Sequence, residues 1–404
     1  MSTYNKLFVL FILLGIISGS QADSNNPGKT ANPKISIILD GQLNQYSRDP
    51  ENYALPGFPL SGEAGLSDEG FALGDNELIL SGDIDNKFYG NVSIGMHQHE
   101  GDVEFDLEEA YIEAVALGNG FTAKAGRFFS GIGYLNEIHE HAWDFTDAPL
   151  IYRGLFGDHL RDEGVQLRWV APTDQFIQLG LEVGRGDTFP AGGAANDGIG
   201  TTALFIKTGG DVGHSHSWQV GLSHWRADVE GRTGGDHDHG GATEIPTFTG
   251  DSRFSGIDFI WKWAPNGNPV RTNFKIQAEY FQRREQGDIE MVGSSPLETS
   301  TYDGKQSGWY LQGVYQFIPR WRVGLRYDRL SSSNSCSDAA VLDEAGLVSQ
   351  GHKPERVSLM LDYSRSEFSR FRIQFNRDES QSSADNQLLL QYIMSIGSHS
   401  AHKF

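Results

Sequence analysis

The chain has 404 residues, a formal charge of -21 and one cysteine among 49 glycines and 24 phenylalanines. That charge excludes affinity for bulk nucleic acid and docking to an anionic surface by charge. A lone thiol, Cys336, excludes an internal disulfide in an exported chain, so closure of the fold has to supply the stability.

Residues 1–22 read as a secretory signal, with Lys6 as the charge, 7–19 as the apolar core and Ser20-Gln21-Ala22 as the cleavage site. About thirteen apolar residues are too few to span a bilayer. Residues 23–33 follow as a short periplasmic segment, and 34–404 as one barrel domain. No later run reaches the roughly twenty apolar residues of a membrane helix, but a barrel strand is only half apolar and escapes that measure.

From residue 34 onward short segments alternate apolar and polar residues. The candidates are 34–46, 74–83, 88–98, 103–116, 121–129, 163–171, 176–184 and 201–209, then 217–229, 253–263, 272–283, 307–317, 321–330, 356–363, 370–376 and 386–404. Val165, Leu167 and Trp169 alternate with Gln166 and Arg168. Phe371, Ile373 and Phe375 alternate with Arg372, Gln374 and Asn376. A period of two with one apolar face is the signature of a half-buried strand. Two segments fit less well. In 103–116 the apolar phase shifts, which predicts a bulge near Glu108-Glu109, and in 34–46 the run Ile35 to Leu39 lacks clean alternation.

The connections alternate as well. Short ones (84–87, 117–120, 172–175, 265–269, 318–320, 364–367) interleave with mostly long ones (47–73, 130–162, 185–200, 230–252, 284–306, 331–355). Short turns on one rim and long loops on the other predict a transmembrane antiparallel β-barrel with both termini periplasmic and an even strand count. Sixteen strands are expected, with fourteen and eighteen as neighbouring solutions. Phe88, Phe121, Trp169, Phe176, Trp218, Trp263, Phe317 and Trp321 gather beside the short turns, as an interfacial girdle would. The final segment ends on Phe404, and an amphipathic terminal strand is what a barrel needs to remove its last edge.

If the apolar sets face lipid, then Arg168, Lys262, Lys275, Arg322, Arg326, Arg370 and Arg372 face the lumen. A charge facing hydrocarbon costs about 2–4 kcal/mol near the midplane, which favours that assignment. Charged walls set the field of a pore, although these side chains could equally pair with Asp258, Glu279 and Asp328 on neighbouring strands. Residues 130–162 form a long connection rich in aromatics, unsuited to water. It resembles the third loop of general porins, which folds inward and narrows the pore. Its acids Glu137, Glu140, Asp144 and Asp147 would then line the constriction, whereas a folded external cap is the plainer reading.

Histidines come in pairs: His97 with His99, His139 with His141, His214 with His216, and Asp236-His237-Asp238-His239. Imidazole beside carboxylate suits zinc and related divalent ions. The candidate ligands are His139, His141, Asp236, His237, Asp238 and His239, for transient capture of a metal rather than a resident cofactor, because no third and fourth ligand can be assigned. No G-x-S-x-G, HExxH, P-loop or CxxC occurs, so the chain reads as a non-enzyme.

Several stretches carry a family resemblance: 32–41, 124–136, His141-Ala-Trp-Asp-Phe145, 184–193, 210–218 and His399-Ser-Ala-His-Lys-Phe404. They are similar to the zinc-regulated TonB-dependent outer membrane receptors. The resemblance covers most of the mature chain and implies an outer-membrane barrel linked to zinc limitation and metal uptake. A TonB-dependent transporter needs a plug and a larger barrel, and about a dozen residues between Ala22 and the first strand leave no room for one. The expectation is therefore a plug-less, porin-like channel in a Gram-negative outer membrane, distantly similar to phosphate-selective porins. It would pass small hydrophilic solutes or ions, with a link to metal uptake. A TonB-dependent receptor for a metal or its chelate is the alternative, and a surface adhesin or structural barrel the third reading. Expected partners are outer-membrane lipid and lipopolysaccharide, the barrel assembly machinery and two further copies in a homotrimer, with no nucleic acid.

Overall fold

Each alternating segment buries one face and leaves the other exposed, and the only arrangement that pairs every edge is a closed sheet. The computed structural model describes residues 33–59, 64–99, 102–192, 198–233, 245–293, 298–349 and 351–397. The expected signal at 1–22, the metal-binding candidates Asp236, His237, Asp238 and His239, and the terminal Phe404 lie outside the described residues.

The strands in chain order are β1 (Lys34–Tyr46), β2 (Gly70–Leu73), β3 (Asn76–Asp83), β4 (Phe88–His99), β5 (Asp102–Ala114), β6 (Phe121–Phe129), β7 (Arg161–Val170), β8 (Phe176–Gly184) and β9 (Thr201–Val212). They continue as β10 (His216–Thr233), β11 (Ile245–Trp263), β12 (Asn273–Val292), β13 (Glu298–Ile318), β14 (Trp321–Cys336), β15 (Glu355–Ser366), β16 (Ser369–Glu379) and β17 (Asp385–Gly397). Neighbours in sequence pair antiparallel, and β1 pairs with β17 from Ser36 opposite Gly397 to Tyr46 opposite Gln387, which closes the ring. Strands β2 and β3 are two halves of one stave, both paired to β1 and broken at Gly74-Asp75. Sixteen staves result, the number the repeats predict. The expected bulge is also present. Ser93 faces Glu109 and Ile94 faces Leu107, so Glu108 is the extra residue of β5.

Leu167, Leu222, Ile257, Leu311, Leu325, Leu359 and Ile373 are exposed outward as an apolar skin. Aromatic pairs such as Phe121 with Trp169 and Trp321 with Tyr363 sit at the short-turn rim. Among the described residues no helix is long and apolar enough to cross a membrane. Leu325 lies four residues along β14 from Trp321 on the same exposed face, so Leu325→Arg should cost about 2–4 kcal/mol in a bilayer. Denaturant unfolding from lipid vesicles measures it, and a change below the error of the method would show that this face does not meet hydrocarbon.

The outer half departs from the expected pattern. Among the described residues the stretches 230–252 and 284–306, expected as loops, are in large part strand, whereas 331–355 is strand only over 331–336 and at 355, and β10 to β13 run 18 to 21 residues each. A membrane strand needs only about 9–11, so this part of the wall stands above the lipid. There the alternation inverts. Outward positions are polar, with Arg226 paired to Asp228 and Asp251, while Trp225, Val229, Phe248, Phe254, Ile289 and Tyr302 point inward and are buried. At this level the interior is an apolar core and not the polar lumen that a channel for hydrophilic solutes leads one to expect.

Helix α1 (Leu150–Phe156), inside the connection between β6 and β7, fills that core. Every one of its residues is buried. Phe156 packs its ring 5.1 Å from those of Phe254 and Phe281, and Trp225 stacks on Phe254 at 4.7 Å. Phe58, from the connection after β1, and Leu330 complete the cluster.

Candidate functional site

The connection 130–160 enters the barrel rather than capping it. Its neck is tied by Asn136, whose amide nitrogen donates to the carbonyls of Ser130 and Leu160 while its oxygen accepts from the Leu160 amide at 2.7 Å. The loop that leaves this neck is held by strands on nearly every side of the barrel.

Three of the predicted acids meet predicted basic residues. Glu137 pairs with Arg168 and, at 3.0 Å, with Lys207. Burial works against its ionisation, but Lys207 and Arg168 outweigh it and hold the carboxyl at about 2. Asp144 pairs with Lys275 and, at 3.0 Å, with Arg322. Asp147 accepts from Arg326 at 2.6 Å, Arg356 at 2.8 Å, Gln374 at 2.8 Å and Asn376 at 2.9 Å. In both aspartates burial is likewise overcome by the facing cations, and the carboxyls lie below the ordinary range. Glu140 is half-buried at the start of a short helical turn.

The predicted basic residues all face inward, but they divide into two kinds. Arg326, Arg370 and Arg372 are buried at 1% exposure. Arg370 donates to the His141 carbonyl at 2.6 Å and Arg372 to that of Trp143 at 2.8 Å, so these two grip loop backbone. Arg168, Lys262, Lys275 and Arg322 are only half-buried, toward the short-turn end of the barrel. Among the carboxylates weighed as strand partners, Asp328 does take Arg326, at 3.0 Å. Glu279 instead accepts from the amides of Tyr134 and Leu135 and the hydroxyls of Tyr152 and Tyr310.

A second cluster lies where the loop meets β3 to β5. His139 places Nδ1 3.1 Å from Glu77 and 3.3 Å from Glu108, and Nε2 3.2 Å from Glu109. His141 Nδ1 lies 2.6 Å from the other Glu77 oxygen. Although burial opposes a charged ring, Glu77 and the two bulge carboxylates push the His139 pKa well above its usual value. Nearby His159, by contrast, is driven down to about 3 by burial and by His139, and stays neutral with Nδ1 donating to the Asn136 carbonyl. Asp75, His97 and Glu108 form an adjoining group. Two irregularities of the wall build this cluster. The bulge turns both Glu108 and Glu109 inward, and the break between β2 and β3 turns Asp75 in beside Glu77. Asn76 holds the break open by accepting from the Asp40 amide at 2.9 Å and donating to the Gly74 carbonyl at 2.8 Å. Two like charges about 4 Å apart repel by about 4 kcal/mol at an effective dielectric near 20, and burial together with Glu77 and Glu108 pushes the Asp75 pKa well above its usual value, so the cluster is held by a proton or a cation among its carboxyls.

Sequence spacing brought His139 and His141 forward but not Asp75 or Glu77, and it assigned no role to Glu108 and Glu109. The bulge was visible as a phase shift in the alternation; that it faces the histidines was not.

No family model matches the chain. An uncharacterized protein of Aquifex aeolicus (strain VF5) is 29% identical over 401 residues, spanning 92% of this chain and 80% of the relative. Solved structures are similar at lower identity. OmpT, an outer membrane protein of Vibrio cholerae in its trimer form, aligns over 90% of this chain and 99% of its own with TM-score 0.54 and 9% identity. The fold is that of an outer-membrane porin barrel. The outer membrane channel DcaP of Acinetobacter baumannii gives 0.52 at 14% identity over 90% and 97% of the two chains. An anion-selective porin from Comamonas acidovorans gives 0.50 at 12% over 90% and 99%. At such identities the likeness concerns the fold alone.

Proposed function

We propose that this chain is an outer-membrane channel for the diffusion of small hydrophilic solutes or ions, with the inserted loop setting the passage. The observation that carries the reading is the loop itself, drawn into the barrel and fastened to the wall by Asp144 and Asp147. A free cap would leave those carboxylates in water. The apolar core fills the outer level of the interior against β10 to β14, so the polar passage is read below it at the short-turn end, where Arg168, Lys262, Lys275 and Arg322 stay half-exposed. Charge on a passage wall decides which ion it favours, and Arg168, Lys262, Lys275 and Arg322 outnumber their facing acids Glu137 and Asp144, an excess of positive charge that favours anions. One protein of similar fold is described as an anion-selective porin, another as a channel, and OmpT as a trimer. A homotrimer in the bacterial outer membrane is part of the same reading.

Planar-bilayer recording of the purified full chain is the test. Discrete open steps are expected, with a reversal potential in a KCl gradient on the anion side. Lys262→Glu should move that potential toward the cation value. A barrel that stays silent at every voltage would overturn the channel and favour an energy-coupled receptor or an adhesin.

A further inference from the structure

The cluster at the joint between the loop and β3 to β5 is not used by the passage just described. We infer that it is a binding site for one divalent transition-metal ion of the zinc type, with Glu77, Glu108 and His139 as the central ligands and Asp75, His97, Glu109 and His141 around them. The claim goes beyond the channel reading and does not depend on it.

Three observations support the site. The first is spacing. Donors about 2.0–2.1 Å from one ion at tetrahedral angles lie about 3.3 Å from each other. His139 Nδ1 lies 3.1 Å from Glu77 Oε2 and 3.3 Å from Glu108 Oε2. Ser93 Oγ donates toward those same two oxygens, 3.3 and 3.0 Å away, and Glu77, His139 and His141 bring one donor atom each within 4.8 Å of one another.

The second is a buried carboxyl aimed into the same cluster. Asp75 is 7% exposed and neither of its oxygens has a hydrogen-bond partner, though it lies in a group with His97 and Glu108 whose donor atoms are all within 4.8 Å of one another. Such a carboxyl keeps its proton until a cation faces it, and a metal ion bound there would take the proton's place.

The third is charge balance. With Asp75 holding its proton, even a protonated His139 supplies one positive charge against Glu77, Glu108 and Glu109. Both departures from regular strand geometry, the bulge and the β2/β3 break, serve to aim these carboxylates inward. Bulges of this kind re-aim side chains at functional sites. Imidazole mixed with carboxylate selects a zinc-type ion over calcium or magnesium, which take oxygen ligands. Since Glu77, Glu108 and Glu109 belong to the wall and His139 and His141 to the loop, an ion there would pin one to the other.

The test uses the full chain folded in detergent, carrying His237→Ala and His239→Ala to silence the other histidine loop, stripped with chelator and titrated with Zn2+. Saturable binding of one ion per chain is expected, with imidazole back-scattering in the X-ray absorption spectrum of the zinc-loaded protein. His139→Ala and Glu108→Gln should each weaken binding by at least about tenfold, with heat-modifiable migration confirming that each barrel has folded. No saturable binding, or a spectrum free of imidazole, would overturn the site and leave a plain imidazolium salt bridge. So would unchanged affinity in folded His139→Ala. Because the readouts are binding and spectroscopy, they stand whether or not the barrel conducts.

Discussion

Replacing Asp147 with asparagine should free the inserted loop and destabilise the barrel by about 3 kcal/mol. Asp147 is the point at which Arg326 and Arg356 meet, both about 1% exposed, and the substitution removes its charge while keeping its shape. Breaking one partner of a buried ion pair costs about 3–5 kcal/mol, because the remaining charge stays buried. Asp328, 3.0 Å from Arg326 and 3.6 Å from Arg356, retains part of the compensation and places the effect at the lower end. Gln374 and Asn376, which both donate to the carboxylate, have only one acceptor oxygen left to share. Two readouts are direct. The denaturant midpoint should fall, and trypsin should cut after Arg153, which is buried in the native loop and donates to the Gly65 carbonyl. An intact Arg153 together with an unmoved midpoint would mean that the loop is held by its apolar helix and not by charge.

Acid should release the same loop, but only at low pH. In the folded chain Asp144 and Asp147 hold pKa values below the ordinary 3.8 of an aspartate, because the facing Lys275, Arg322, Arg356 and Arg326 more than offset burial. A depressed folded value means that the ionised carboxylate favours folding. The contribution is complete above the unfolded pKa near 3.9 and is lost as pH falls through the folded value. Conductance and protease resistance of the loop should therefore be flat from neutral pH down to about 5 and change only below about 4. Recording channels across that range decides it. A transition centred above pH 5 would assign the lock to other groups.

Much of the wall was legible in the sequence. Segments 34–46, 121–129 and 176–184 coincide with β1, β6 and β8, and the phase shift at Glu108-Glu109 is the bulge itself. The apparent disorder of Ile35 to Leu39 is one inward residue, Ile38, in a small apolar contact with Ile79 and Ile393 inside the barrel. Less legible was the sense of the alternation. Phe248, Ile289 and Tyr302 alternate as well as Leu325 does, yet they face inward. A period of two separates two faces without saying which one meets lipid.

What the sequence determined by itself was the local scheme: repeated half-apolar strands with short and long connections in turn, giving an even count of about sixteen. Those are local properties, fixed by period and turn length, and each can be read within a window of ten residues. Tertiary structure decided everything that joins distant windows. It drew Asp147 onto Arg326 and Arg356, set Glu77 against His141, and filled the outer interior with α1. The physical reason is that charge pairing and burial depend on distances across the barrel, and a linear chain carries no record of which staves will stand opposite one another.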